Sequence, residues 1–177
     1  MKRRRWLGAL IALSLVLFPC EVLRAEAEYT VKAAYLYNFI TLVKWPAAAF
    51  PSSESPVVVG VVGRDPFSGG LGALLKGQKA GARSIVVKQV RAGDFSALRS
   101  CNVIFVAATE STAEVIPAIK GLPVLVVGEA EDFAKNGGMI GFVVKNKKIK
   151  LEMNRDAARE ARLTIPSDLL AIATIVN

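Results

Sequence analysis

Three short runs fix most of what this chain can become: Val57-Val58-Val59-Gly60-Val61-Val62, Val103-Ile104-Phe105-Val106 and Val124-Leu125-Val126-Val127. Each is apolar at every position rather than at every second one. A strand of that kind must be covered on both faces, as in a parallel sheet flanked by helices, because one wet face would give polar alternation. Helical patterns fall between them. The spacing predicts helices over residues 29–43, 70–76, 94–100 and 112–120, with a further strand over 84–90. Trp45-Pro46 ends the first helix, since the residue before proline is pushed out of the helical region. Such alternation predicts an α/β fold, a three-layer α/β/α sandwich with a mostly parallel sheet.

The last third reads differently. Gly137-Gly138 leads into a strand over 139–144, Lys145-Asn146-Lys147 turns, and a strand over 149–153 returns as a hairpin. One antiparallel strand is therefore expected at the sheet edge. Asn154 is placed to cap a helix over 155–162. A final helix is expected from Pro166 to Val176, on the spacing of Leu169-Leu170, Ile172-Ala173 and Val176.

The N-terminus has its own pattern. Lys2-Arg3-Arg4-Arg5 precedes a thirteen-residue apolar run from Trp6 to Phe18, and Ala25-Glu26-Ala27 follows in a polar stretch. That is the layout of a cleavable secretory signal peptide. A bilayer-spanning helix takes about twenty apolar residues, so an uncleaved anchor is the weaker reading. Phe18 and Pro19 stand where lipid attachment at Cys20 needs small residues. We expect residues 1–27 to be removed and residues 28–177 to form one domain outside the cytoplasm, in a periplasm. The whole chain carries 23 Lys+Arg and 15 Asp+Glu; the leader takes away five basic and two acidic residues, leaving a surplus of five positive charges. That mild surplus suits a domain near an anionic membrane or cell wall. Nucleic acid is not an expected partner of an exported domain. The densest basic cluster, Lys145 to Lys150, reads as the solvated edge of the hairpin.

Chemistry is constrained by what is missing. The sequence contains no histidine, which removes Ser-His-Asp and Cys-His nucleophile pairs and the commonest transition-metal ligand. Without Cys20, Cys101 is the sole thiol; it precedes an apolar strand and is expected to be buried or half-buried. No dinucleotide or phosphate-loop glycine pattern is present. The expectation is no enzymatic activity, no metal and no cofactor.

Three constellations remain, each with a structural reading beside the functional one. Gly63-Arg64-Asp65-Pro66-Phe67 follows the first strand, where loops at the carboxyl ends of a parallel sheet line a ligand crevice. Gly63, Asp65 and Phe67 are candidate ligand residues; a turn, a cap and a core phenylalanine would explain them as well. Gly128 through Phe133 should lie on the same rim, making Glu129 and Phe133 candidates, although helix-start carboxylates account for Glu129, Glu131 and Asp132 too. Arg155 and Arg159, one helical turn apart, would grip a partner's carboxylates or form a solvent face.

The order of motifs resembles the YfiR family of periplasmic proteins. It runs from Val31-Lys32-Ala33-Ala34-Tyr35-Leu36-Tyr37-Asn38-Phe39 and Trp45-Pro46 through Gly60-Val61-Val62-Gly63-Arg64-Asp65-Pro66-Phe67, then Cys101-Asn102-Val103-Ile104-Phe105-Val106 and Pro123-Val124-Leu125-Val126-Val127. Gly137-Gly138-Met139-Ile140, Ile149-Lys150-Leu151-Glu152-Met153-Asn154 and Leu169-Leu170-Ala171-Ile172-Ala173 complete it. The resemblance implies a non-enzymatic, usually dimeric regulator. It implies repression of an inner-membrane diguanylate cyclase through that partner's periplasmic sensor domain, lowering cyclic di-GMP and biofilm formation. An outer-membrane, peptidoglycan-associated lipoprotein would relieve the repression. Disulfide-based redox control in such proteins needs several cysteines, and this chain departs there. For a partner-binding patch we single out Tyr35 and Phe39 on the first helix and Leu169, Leu170 and Ile172 on the last, with core packing as the other reading. A small-molecule-binding sensor is the alternative function.

Overall fold

The structure, a computed structural model, describes residues 18–110 and 112–176. Most of the expected signal segment, residues 1–17, lies outside them, while Ala25-Glu26-Ala27 falls within the first helix. No helix among the described residues is long and apolar enough to cross a membrane.

Helix α1 spans Phe18–Leu42. Ala33, Leu36, Phe39, Ile40 and Val43 recur on one face and are buried, as three- and four-residue spacing requires. A short 3-10 turn, Ala47–Ala49, leads to strand β1, Val57–Val62. There follow helix α2 (Gly70–Leu75), strands β2 (Lys79–Ala80) and β3 (Arg83–Val90), helix α3 (Phe95–Arg99), strand β4 (Val103–Val106), helix α4 (Thr112–Ile119) and strand β5 (Leu125–Gly128). Strands β6 (Ile140–Lys145) and β7 (Lys148–Asn154), helices α5 (Arg155–Glu160) and α6 (Ser167–Ala171), and strand β8 (Ala173–Val176) complete the chain.

All eight strands form one sheet in the order β2-β3-β1-β4-β5-β6-β7-β8. From β3 to β6 neighbours are parallel. The continuous apolar strands do have two covered faces. Val57, Val59, Val61, Val103, Phe105, Leu125 and Val127 point into a core with α1 and α2. Val62, Ile104, Val106 and Val126 point the other way, against Leu98 of α3 and Val115 and Ile119 of α4. That is the expected three-layer sandwich. Asp94 accepts from the Ala97 N–H at 2.9 Å and caps α3. Asn154 accepts from the Ala157 N–H at 2.9 Å, the cap expected for α5, and its side-chain amide donates to the Ala134 carbonyl at 3.0 Å.

Three elements depart from expectation. The final helix is not continuous: α6 stops at Ala171, and residues 173–176 pair in parallel with β7, Leu151 opposite Ala173 and Asn154 opposite Val176. Thr174, Ile175 and Val176 are β-branched, and β7 offers them an open row of backbone groups, so pairing overrides an apolar spacing that also fits a helix. The sheet consequently ends one strand beyond the β6–β7 hairpin. The other edge carries β2, antiparallel to β3 and absent from the sequence reading. Helix α1 also starts well before Tyr29.

Candidate functional site

Chain order places the site. The chain leaves β1 for β3 on one side, then crosses back to β4 on the other, so the carboxyl ends of β1 and β4 mark a topological switch point. Ligand crevices of open α/β sheets form there. The rim is built from the loops after β1, β4 and β5, and the N-terminal half of α1 reaches across to it.

Lys32 of α1 is the centre of this rim. It occupies a position of the buried stripe, and its side chain is only 4% exposed. Two carboxylates hold it: Nζ lies 2.6 Å from Glu129 Oε2 and 2.6 Å from Glu28 Oε1. The Glu28 contact is an i,i+4 pair along the helix, whereas Glu129 arrives from the loop after β5. The ammonium also sits 4.5 Å from the centroid of the Tyr29 ring. Glu129 Oε1 accepts from the Tyr29 hydroxyl at 3.1 Å and from the Ala108 N–H, in the loop after β4, at 3.2 Å. One carboxylate therefore ties α1, the β4 loop and the β5 loop together. Burial, and then the neighbouring Glu129 charge, push the Tyr29 phenol well above its ordinary range, so it remains a neutral donor. No nucleophile paired with a base appears in this cluster. Its chemistry is charge-assisted hydrogen bonding, suited to fixing a helix and to reading a ligand or partner. Cavities of about 520 and 530 Å3 flank Tyr29, one walled by Thr30, Pro66, Phe67 and Leu74, the other by Lys32, Glu129, Lys135 and Phe142.

Of the five candidate ligand residues, Glu129 alone presents a charged group to this cluster. Gly63 has φ +87° and makes the exit from β1; a β-carbon there would run into the Glu110 side chain. Its carbonyl accepts from the Gln89 side-chain amide. Asp65 has both oxygens engaged, accepting from the Phe67 and Gly69 N–H groups at 2.9 Å each, so it shapes the turn. Phe67 is buried and meets Tyr29 edge-on at 5.4 Å and Phe105 at 4.8 Å. It reaches the rim through Tyr29. Phe133 is buried between Gly128 and Gly138, whose missing side chains make room for the two edges of its ring.

The partner-binding candidates divide by burial. Phe39 is fully buried and Leu169 is 3% exposed, so core packing accounts for both and neither offers surface in this conformation. Tyr35 is half-buried, stacked 6.0 Å from Phe39, and Leu170 is half-buried against the same core. Ile172, at 56%, keeps its side chain in solvent. Arg155 and Arg159 are exposed on α5, and Arg159 donates to Asp156 at 3.2 Å.

Tyr29, Lys32 and Glu28 were not singled out from the sequence. A signal existed: Glu28 and Lys32 have the spacing of a helical ion pair, and Lys32 falls within the apolar stripe. Their principal partner lies 97 residues away, which local pattern cannot supply. Cys101 is buried, as expected, and donates to the Ala97 carbonyl at 3.2 Å; burial raises its pKa against the opposing pull of Lys88. No group of three metal-ligating side chains exists among the described residues.

Comparison with solved structures places the architecture among α/β domains. An ABC domain in complex with L-Trp from Streptococcus pneumonia is similar at TM-score 0.51 and 15% identity, over 67% of this chain and 55% of that one. At this identity the likeness shows the fold alone, and this chain spans about half the length of that protein. A conserved domain protein from Vibrio cholerae matches at TM-score 0.44 and 20% identity, over 68% of this chain and 55% of that one. No curated protein matches the sequence. The family described as YfiR/HmsC-like matches residues 29–174, from the phenol that closes the rim to the strand that closes the sheet, and the chain belongs to that family.

Proposed function

We propose that this protein is a periplasmic regulator that binds the periplasmic sensor domain of an inner-membrane signalling protein, a diguanylate cyclase, and represses it. The supporting observation is the YfiR/HmsC-like match across residues 29–174. The lack of histidine agrees with action by contact rather than bond-making. A protein of that kind regulates only through differential affinity for two states of its partner. Binding the inactive conformation of the sensor domain lowers cyclic di-GMP output and biofilm formation. A homodimer is the proposed working form, with an outer-membrane, peptidoglycan-associated lipoprotein as the competing partner. The accessible candidates for contact are Ile172, the half-buried Tyr35 and Leu170, and the Arg155–Arg159 pair.

Deletion of this protein should raise cellular cyclic di-GMP, and affinity capture from membranes should recover a protein with a periplasmic domain and a cyclase domain. Unchanged cyclic di-GMP on deletion, together with no such partner, would defeat the proposal. The two cavities beside Tyr29 support a second reading, a small-molecule-binding sensor. It predicts that one class of compound raises the melting temperature and that Glu129→Gln abolishes the rise.

A further inference from the structure

A shallow groove of about 340 Å3 runs between α1 and the tip of the β6–β7 hairpin, apart from the rim described above. Its apolar walls are Val31 and Tyr35 of α1, Val144 of β6 and Ile149 of β7; its outer edge carries Lys147 and Lys148. Val31 and Val144 are 46% and 47% exposed, unusual for large aliphatic side chains facing one another across a groove. Register explains the arrangement. Val144 pairs with Ile149, which puts both on the α1 side of the sheet, while Lys145 pairs with Lys148 at the hairpin end. The carboxylate of Glu28 also faces the groove, partly offset by Lys32, which it shares with Glu129; Arg24 lines the groove too but belongs to the segment expected to be removed. Lys145 is drawn toward Glu152 at 3.6 Å. The charge left free at the groove mouth is positive.

The turn itself is informative. Asn146 and Lys147 both have positive φ, 51° and 61°, as the two central residues of a tight hairpin turn require. Asparagine tolerates that region, and glycine is the relaxed residue for the next position. The chain instead holds a lysine there, in a backbone conformation that disfavours it, at the outermost point of the hairpin. Strain kept at a projecting charged residue points to function.

We propose that this groove and hairpin tip dock onto an anionic phospholipid surface, with Val31 and Val144 meeting the interfacial region and Lys147 and Lys148 meeting the headgroup phosphates. Lysines with long apolar stems beside aliphatic side chains suit a flat anionic interface, and the positive surplus of the exported domain draws it there. The proposal rests on the export reading given under Proposed function. Such docking would hold a regulator of a membrane protein against the membrane, shortening its search for that partner.

Flotation of the protein, purified from the compartment where it accumulates, with phosphatidylcholine vesicles and with phosphatidylcholine–phosphatidylglycerol vesicles tests this directly. Binding is expected only with phosphatidylglycerol present, and it should disappear in high salt. Removing two lysines near an anionic surface should lower partitioning about thirtyfold, so Lys147→Gln with Lys148→Gln is the diagnostic variant. Lys76→Gln with Lys79→Gln removes equal charge from exposed positions at the other side of the sheet and should change binding little. No binding to phosphatidylglycerol, or equal losses from both lysine pairs, would overturn the proposal. Retention of poly-glutamate without vesicle binding would overturn it in favour of an acidic protein partner. None of these outcomes bears on cyclic di-GMP, so failure here leaves the regulator reading to its own test.

Discussion

Glu129 is the residue whose neutralisation should most disturb the fold without altering its shape. Glu129→Gln keeps one oxygen to accept from the Tyr29 hydroxyl and the Ala108 N–H, but sets an amide against the Lys32 ammonium, now 2.6 Å from a full carboxylate. Removing one partner of a buried ion pair costs roughly 3–5 kcal/mol. The loss here should be smaller, about 2–3 kcal/mol, because Glu28 remains on Lys32 and its side chain is 30% exposed and partly solvated. With a urea slope of roughly 1–3 kcal/mol per molar, the midpoint of unfolding should fall by about 1 M or more. Lys32→Met should cost a similar amount for the opposite reason, since Glu129 then lacks its cation. The decisive measurement is the double variant. Removing both charges leaves neither one stranded, so Lys32→Met with Glu129→Gln should be less destabilised than the sum of the singles by at least about 1.5 kcal/mol. Singles that add to within about 0.5 kcal/mol would show that the two residues do not act as a pair, and the account of the rim would fail.

Three further outcomes follow from particular contacts. Tyr29 has a raised folded-state pKa, so its contribution to stability is intact below the ordinary tyrosine value of about 10 and is lost as pH rises through the folded value; Tyr29→Phe should flatten the alkaline limb of a stability-versus-pH curve, and an unchanged limb would refute the assignment. Gly138→Ala should destabilise by about 1–3 kcal/mol, because a new methyl meets one edge of the Phe133 ring while Gly128 already abuts the opposite edge, and thermal unfolding would register it. Cys101, buried and with its pKa raised chiefly by that burial, should react with iodoacetamide at neutral pH far more slowly than a free thiol until the protein is unfolded; equal rates would contradict its placement.

The sandwich was legible because its central strands are apolar at every residue, a pattern with few structural solutions. Val103, Ile104, Phe105 and Val106 are all buried, two to each face, as the run requires. The cap at Asn154 was legible for a similar reason, since one side chain has one local task. Residues 166–176 were not. Their apolar spacing fits either a helix or a short helix followed by a strand, and the choice belongs to the open edge of β7, which is not encoded nearby. The rim was half legible. Placing Glu129 at the carboxyl end of a strand followed from topology, but Lys32 is one of several lysines until the fold brings it beneath Glu129. Asp65 and Phe67 show the converse, because residue types that suit a ligand are also those that close a turn and fill a core.

The ion pair between Lys32 and Glu129 also has a temporal meaning. A chain emerging from its N-terminus makes α1 first, yet the loop that seats this helix comes only after β5 has been made. Until then apolar contacts, such as Tyr29 against Phe67, are all that hold this part of the helix to the rest of the fold. Tying the first helix to a late loop thus defers its ionic anchorage until most of the sheet has been made.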